Sequence, residues 1–254
     1  MAKDSALRLQ DKTIFLIGPF NGVTQAVLRT MTEFGADVGY VVENVPYASK
    51  YIDGINEARE VHPDYGRAAH FDLPLGNEGQ ILEALGRVAG SLGRMDALVD
   101  ATPLSWNKTT DPKAATDQCL LLAEKLIPFL IAKRKGRVVY IFEDPCIDVL
   151  SKDPIPEVCR KELIQAVEAL AIKYRAQNIT VNALALGITD DLLLKLFPGN
   201  PSLKKSFESL QTQHNGIKLV EFHDVGMGVT YLTSALSASV TGQVLRLTHG
   251  FHLK

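Results

Sequence analysis

KTIFLIGPFNGVTQAVLRTMTEFG, residues 12–35, is the stretch from which the fold follows. A short apolar run, 13–17, leads into a turn carrying Gly18 and Gly22, and apolar residues then recur at helical spacing. A buried strand, a glycine turn and a helix in that order put a helix N-terminus, with its free amides and positive dipole end, at a sheet edge. In doubly wound folds a dinucleotide pyrophosphate sits at such a place. Two glycines at one turn also serve wherever the backbone simply needs φ > 0, so the rest of the chain has to decide.

Outward from this stretch, strand-like runs recur at 38–42, 68–71, 97–100, 138–142, 180–184 and 244–247. Helical periodicity fills the gaps, as in Leu120, Leu121, Ala123, Leu126, Ile127 and Leu130, and again in Leu163, Val167, Leu170 and Tyr174. Such alternation predicts an α/β fold: one doubly wound, Rossmann-like domain over residues 1–254, its parallel seven-stranded sheet covered by helices on both faces. A chain of 254 residues suffices for one full core. Residues 188–221 break the alternation with Pro198, Gly199, Asn200 and Pro201 between short amphipathic stretches. They leave a strand's carboxyl end, so they read either as a lid over a pocket or as a helical surface excursion.

A hydrophobic fraction of 46%, with 22% charged residues and a formal net charge of -2, is that of an ordinary globule without a nucleic-acid or membrane footprint. The start, MAKDSALRLQDK, has no apolar signal core, and no apolar run reaches the roughly 20 residues of a membrane helix. Cys119, Cys146 and Cys159 lack CxxC spacing, which fits a reducing compartment, and the expected location is the cytoplasm.

Six collinear motifs make the chain resemble the classical short-chain dehydrogenase/reductase family along nearly its whole length. The turn Gly18-Pro-Phe-Asn-Gly22-Val-Thr24 is similar to the family's TGxxxGxG, and His70-Phe71-Asp72-Leu73 to the strand end whose Asp meets the adenine. Asp96-Ala-Leu-Val-Asp100-Ala-Thr-Pro103 stands where the family has DxLVNNAG. Gly136-Arg-Val-Val-Tyr-Ile-Phe142 resembles the strand before the catalytic Ser, and Ile179-Thr-Val-Asn182-Ala-Leu-Ala-Leu-Gly187 resembles IRVNAVAPG. The tail, Val240-Thr-Gly-Gln-Val-Leu-Arg-Leu-Thr-His-Gly250-Phe-His, is close to ITGQVLxVDGG.

The resemblance implies a Tyr acid/base, a Lys four residues later and a Ser on the substrate oxygen. Counting back from 179–182 without gaps puts Pro156 at the Tyr position and Arg160 at the Lys position, and counting from the preceding strand puts Glu143 at the Ser position. Proline cannot exchange a proton. None of the 7 tyrosines is followed by Lys at that spacing. For the cofactor the resemblance points to Gly18, Gly22, Glu43 and Asp72, in an eroded site. Thr24 replaces the third glycine, where a β-branched side chain would crowd a pyrophosphate, and Pro103 removes a backbone donor. Glu43 would repel a 2′-phosphate, so NAD is expected rather than NADP, and no dinucleotide is expected to bind tightly.

Other candidates have bland readings beside the sharp ones. Glu143 and Asp144 could raise one another's pKa for acid/base work, but an acidic pair at a loop start is usually solvated. Arg160, in a charge-rich helix start, reads as a surface or helix-capping residue rather than a ribose or carboxylate ligand. The cysteines read as small buried hydrophobes. His214, His223, His249 and His252 lack metal-ligand spacing, so no metal is assigned.

In the family, two long helices, here about 111–133 and 157–177, pack against a second subunit, and the last strand and tail make a further contact. Leu120, Leu121, Leu122, Ile127 and Leu130 cover more than one narrow face, which suits a helix buried on two sides. The expected function is therefore a catalytically silent subunit with a structural or regulatory role in an oligomer, paired with itself or with an active paralogue. Heteromeric members of the family with one inactive subunit type, such as the dehydrogenase of hydroxybenzylsuccinyl-CoA, are the precedent. The alternatives are an active NAD-linked oxidoreductase with a displaced acid/base, Glu143 or a residue of the 188–221 segment, and a ligand-binding protein that uses the old cleft.

Overall fold

The structure, a computed structural model, describes residues 7–42, 45–74, 76–131, 135–151, 154–214 and 217–253. Seven strands form one parallel sheet: β1 (Thr13–Ile17), β2 (Asp37–Val41), β3 (Ala68–Phe71), β4 (Ala97–Asp100), β5 (Gly136–Glu143), β6 (Ile179–Leu186) and β7 (Val244–Leu247). Their spatial order is β3-β2-β1-β4-β5-β6-β7, so the winding reverses between β1 and β4. The doubly wound α/β fold expected from the sequence is the one observed, and ligand crevices in such sheets open at that reversal.

The central strands β1, β4 and β6 are buried at every position because both of their faces are covered. Phe15 and Ile17 face the layer of α3 (Glu78–Leu92), α4 (Pro112–Ile131) and α5 (Glu157–Tyr174). Ile14 and Leu16 face the opposite layer of α1 (Gly22–Glu33), α2 (Pro46–Val61) and α8 (Phe222–Thr233). A fully buried Leu or Ile stabilises by about 1.5–3 kcal/mol, so these two cores, far more than caps or surface ion pairs, hold the sheet.

The 188–221 segment folds into α6 (Asp190–Leu196) and α7 (Leu203–Gln213). It has a small core of its own, in which Ile188, Leu192, Leu193 and Leu210 pack on Ile147 and Phe251. The helix expected at 111–133 is α4, with 132–133 outside the described residues, and the one at 157–177 is α5 plus a 3-10 turn, Arg175–Gln177.

Candidate functional site

At the winding reversal the β1–α1 turn meets the end of β4. Gly18 has φ +151°, and a Cβ there would stand 2.7 Å from the Cβ of Ala101, so this position needs glycine for the turn itself. Asn21 caps α1: its Oδ1 accepts from Thr24 N at 3.0 Å, while Thr24 Oγ1 accepts from Asn21 N at 3.2 Å. Thr24 Oγ1 also donates to Pro19 O at 2.5 Å, and the buried Tyr40 hydroxyl donates to Gly18 O at 3.0 Å. Burial pushes the Tyr40 phenol up to about 12. Thr24 is therefore buried inside the turn, and the expectation that it crowds a pyrophosphate is corrected.

The crowding comes from elsewhere. A capped helix still has free amides in its first turn, here those of Gly22 and Val23. Both are taken by one carboxylate of the same chain: Gly22 N donates to Asp191 Oδ1 at 3.2 Å and Val23 N to Asp191 Oδ2 at 2.9 Å. Over them lies Phe222, whose ring would be 2.4 Å from a Cβ on Gly22. A dinucleotide pyrophosphate needs those amides and that space, so the group does not fit the residues present.

Of the other residues expected at a cofactor site, Asp72 is exposed just beyond β3, and Glu43 lies outside the described residues. Pro103 sits in a 3-10 turn, Thr102–Ser105, after β4. Asp100 ends that strand fully buried, with Oδ1 accepting from Thr102 Oγ1 at 2.6 Å and Thr102 N at 2.9 Å, and Oδ2 has no hydrogen-bond partner. Burial raises its carboxyl pKa against the pull of the Thr102 bonds.

The second half of the site is a cleft of about 640 Å³ beyond the carboxyl end of β5. Four charged side chains line it among the described residues: Glu143, Asp148, Arg160 and Lys195. They form two pairs. Lys195 Nζ donates to Glu143 Oε1 at 2.7 Å and to Leu104 O at 2.5 Å. Arg160 Nη1 donates to Asp148 Oδ2 at 2.8 Å. Asp144 does not join them: it is fully buried, with Oδ2 accepting from Arg246 Nη1 at 2.6 Å and Oδ1 from Cys146 N at 2.9 Å. The solvated acidic pair expected at 143–144 is thus corrected to two carboxylates held in separate ion pairs.

Pro156 is the N-cap of α5 and makes no side-chain cap. Arg160, one turn on, is only 1% exposed, so the surface or capping role expected for it is overturned. A guanidinium is buried there because Asp148, 12 residues earlier in the turn Pro145–Leu150, supplies its counter-charge. Neither Tyr nor His lines this cleft among the described residues. Cys119 and Cys159 are buried and Cys146 half-buried, and burial pushes all three thiols up. Among the described residues no three His, Cys, Asp or Glu side chains converge, and no helix is long and apolar enough to cross a membrane.

The α6–α7 segment walls the cleft with Leu192, Lys195, Leu196 and Phe197. Asp191, Phe222, Asp148 and Lys195 were invisible to sequence reasoning because each contact is long-range or depends on a turn geometry without a motif. Asp191 reads locally as nothing more than an acid in the first turn of a short helix capped by Thr189.

Residues 18–252 match a short-chain dehydrogenase family model described as enoyl-(acyl carrier protein) reductase. The chain belongs to the short-chain dehydrogenase/reductase family. Among its relatives in that family, an uncharacterised oxidoreductase of Bacillus subtilis, YvaG, is 24% identical over 96% of this chain and 97% of its own length. The 2,3-dihydroxy-2,3-dihydro-p-cumate dehydrogenase of Pseudomonas putida is 23% identical over 97% of this chain and 96% of its own. In fold the chain is similar to L-sorbose reductase from Gluconobacter frateurii, solved with NADPH and L-sorbose, at a TM-score of 0.82, 19% identity and coverage of 97% and 98%. A 7α-hydroxysteroid dehydrogenase solved with NADH and 7-oxo glycochenodeoxycholic acid superposes with a TM-score of 0.79 at 20% identity, with 98% of each chain covered.

Proposed function

We propose that this member of the short-chain dehydrogenase/reductase family is catalytically silent and acts as a structural or regulatory subunit of an oligomeric dehydrogenase, beside an active paralogue. One observation carries the reading: among the described residues, the four charged side chains lining the cleft are held in pairs, Glu143 with Lys195 and Asp148 with Arg160, while Pro156 opens α5. A proton-transfer group has to be free to change charge and to reach a substrate. Gapless counting back from β6 puts Pro156 and Arg160 at the family's Tyr and Lys positions, and counting from β5 puts Glu143 at the place of its Ser. The filled amides of α1 add support, because they oppose tight binding of any dinucleotide; should one enter, NAD is favoured over NADP. Free thiols suit a reducing compartment, and we assign the chain to the cytoplasm.

Association is proposed through α4 and α5 and through β7 with the tail. Phe129, Val158 and Ile172 are large apolar side chains that the chain leaves exposed on those two helices.

The Glu143–Lys195 pair is the single feature that favours the second reading, a displaced acid/base, since both residues face the cleft. Turnover of carbonyl and alcohol substrates with NADH or NAD is the test, for the chain alone and for its assembly. The silent reading expects none from the chain alone, and Glu143→Ala changes the activity of the assembly little. A drop beyond about hundredfold, roughly 2.7 kcal/mol in barrier, would establish the displaced acid/base instead.

A further inference from the structure

We infer that Asp191 is a built-in replacement for the cofactor's phosphate: its carboxylate fills the amide cradle at the start of α1 and thereby clamps the 188–221 segment over the cleft. The inference rests on the reading above in one respect, that no dinucleotide needs to enter this cleft.

Three observations converge. The donors are the two that the Asn21 cap leaves over, the amides of Gly22 and Val23, and each points at a different oxygen of one carboxylate at 3.2 and 2.9 Å. The acceptor is a full negative charge at a positive helix end, the charge type that a phosphate would bring. The partners lie 168–169 residues apart in sequence, so the bond joins the β1–α1 turn to α6, the first helix of the segment that walls the cleft.

Phe222 completes the closure from the far end of the segment. Its ring packs on Gly22, at the only kind of residue that lets an aromatic carbon come so near the backbone. Lys195, one helical turn after Asp191, bonds Glu143 and Leu104 on the sheet side. α6 is thus fastened at both ends, by an anion on α1 and by a cation on β5 and the turn after β4. The chain itself supplies the anionic fastening.

Thermal unfolding of the full chain, measured with and without inorganic pyrophosphate at about 10 mM, tests this directly. Removal of a charge-assisted helix-end contact from a domain of this size is expected to lower Tm by roughly 5 °C in Asp191→Ala. Pyrophosphate is expected to restore most of that loss in the variant and to leave wild type unmoved, because the wild-type cradle is full. Asp191→Asn keeps the shape without the charge, so it decides the matter if the alanine variant does not fold; it is expected to fall between the two and to respond weakly to pyrophosphate. The inference is overturned if wild type and variants respond to pyrophosphate alike, or if both variants melt with wild type and gain no response. A variant that gains no pyrophosphate response would overturn this inference and leave the silent-subunit reading untouched; NADH-dependent turnover by the chain alone would defeat that reading and, with it, the premise of a closed cradle.

Discussion

Arg160 shows how a charge can be read correctly as chemistry and wrongly as position. Its neighbours in sequence are charged, so a solvated helix start was the natural expectation. In the fold, its guanidinium is sealed under the Pro145–Leu150 turn against Asp148. No local pattern announces that partner, because the turn's geometry and not a spacing rule brings it round. Removing one member leaves a buried charge uncompensated, so Asp148→Ala is expected to destabilise by about 3 kcal/mol in chemical denaturation. Replacing both, with Asp148→Leu and Arg160→Met, is expected to cost much less than the sum of the single changes. Additive losses would mean that the pair is not coupled.

Asp100 carries the chain's clearest pH dependence. Burial raises its pKa in the folded state, so in the unfolded chain it ionises first as pH rises. Between the ordinary carboxyl range, about pH 4, and its raised folded value, the unfolded state binds fewer protons, and folding stability falls with increasing pH. Asp100→Asn removes that slope. Its Tm relative to wild type is expected to rise from about pH 4 toward neutrality; parallel curves would show that the buried carboxyl does not titrate with folding.

At the scale of elements, the strands were legible and the segment between β6 and α8 was not. β1, β3, β4 and β7 fall where the apolar runs place them, and β1 and β4, covered on both faces, are buried at every position. The 188–221 segment offered two readings because the partners that anchor it, the α1 amides for Asp191, Glu143 for Lys195 and Phe251 for its core, all lie on elements distant in sequence. For α4 and α5 the apolar stripes were legible as wider than one core-facing band, yet only the fold separates Leu122, Ile127 and Leu130, buried within the chain, from Phe129 and Ile172 outside it. Ile172 is 66% exposed. Ile172→Glu is expected to leave the stability of the isolated chain within about 0.5 kcal/mol and to reduce the mass of the proposed assembly in sedimentation. An assembly of unchanged mass would remove α5 from the interface.

For the molecule as a whole, the proposed reading is that the fold has been kept and the chemistry has not. The parallel sheet, its winding reversal and the glycine turn are those of the short-chain dehydrogenase/reductase family, and the six motifs that carry them were readable because they answer to packing. What fills the site was unreadable, because it depends on side chains that meet only when the sheet is assembled: Asp191 on the amides of α1, Phe222 on Gly22, and two ion pairs across the cleft. The most direct measurement is calorimetric titration of the purified chain with NADH. A self-filled cradle predicts no saturable binding up to about 1 mM; a one-to-one isotherm with a Kd of about 10 μM, some 7 kcal/mol of binding, would contradict it.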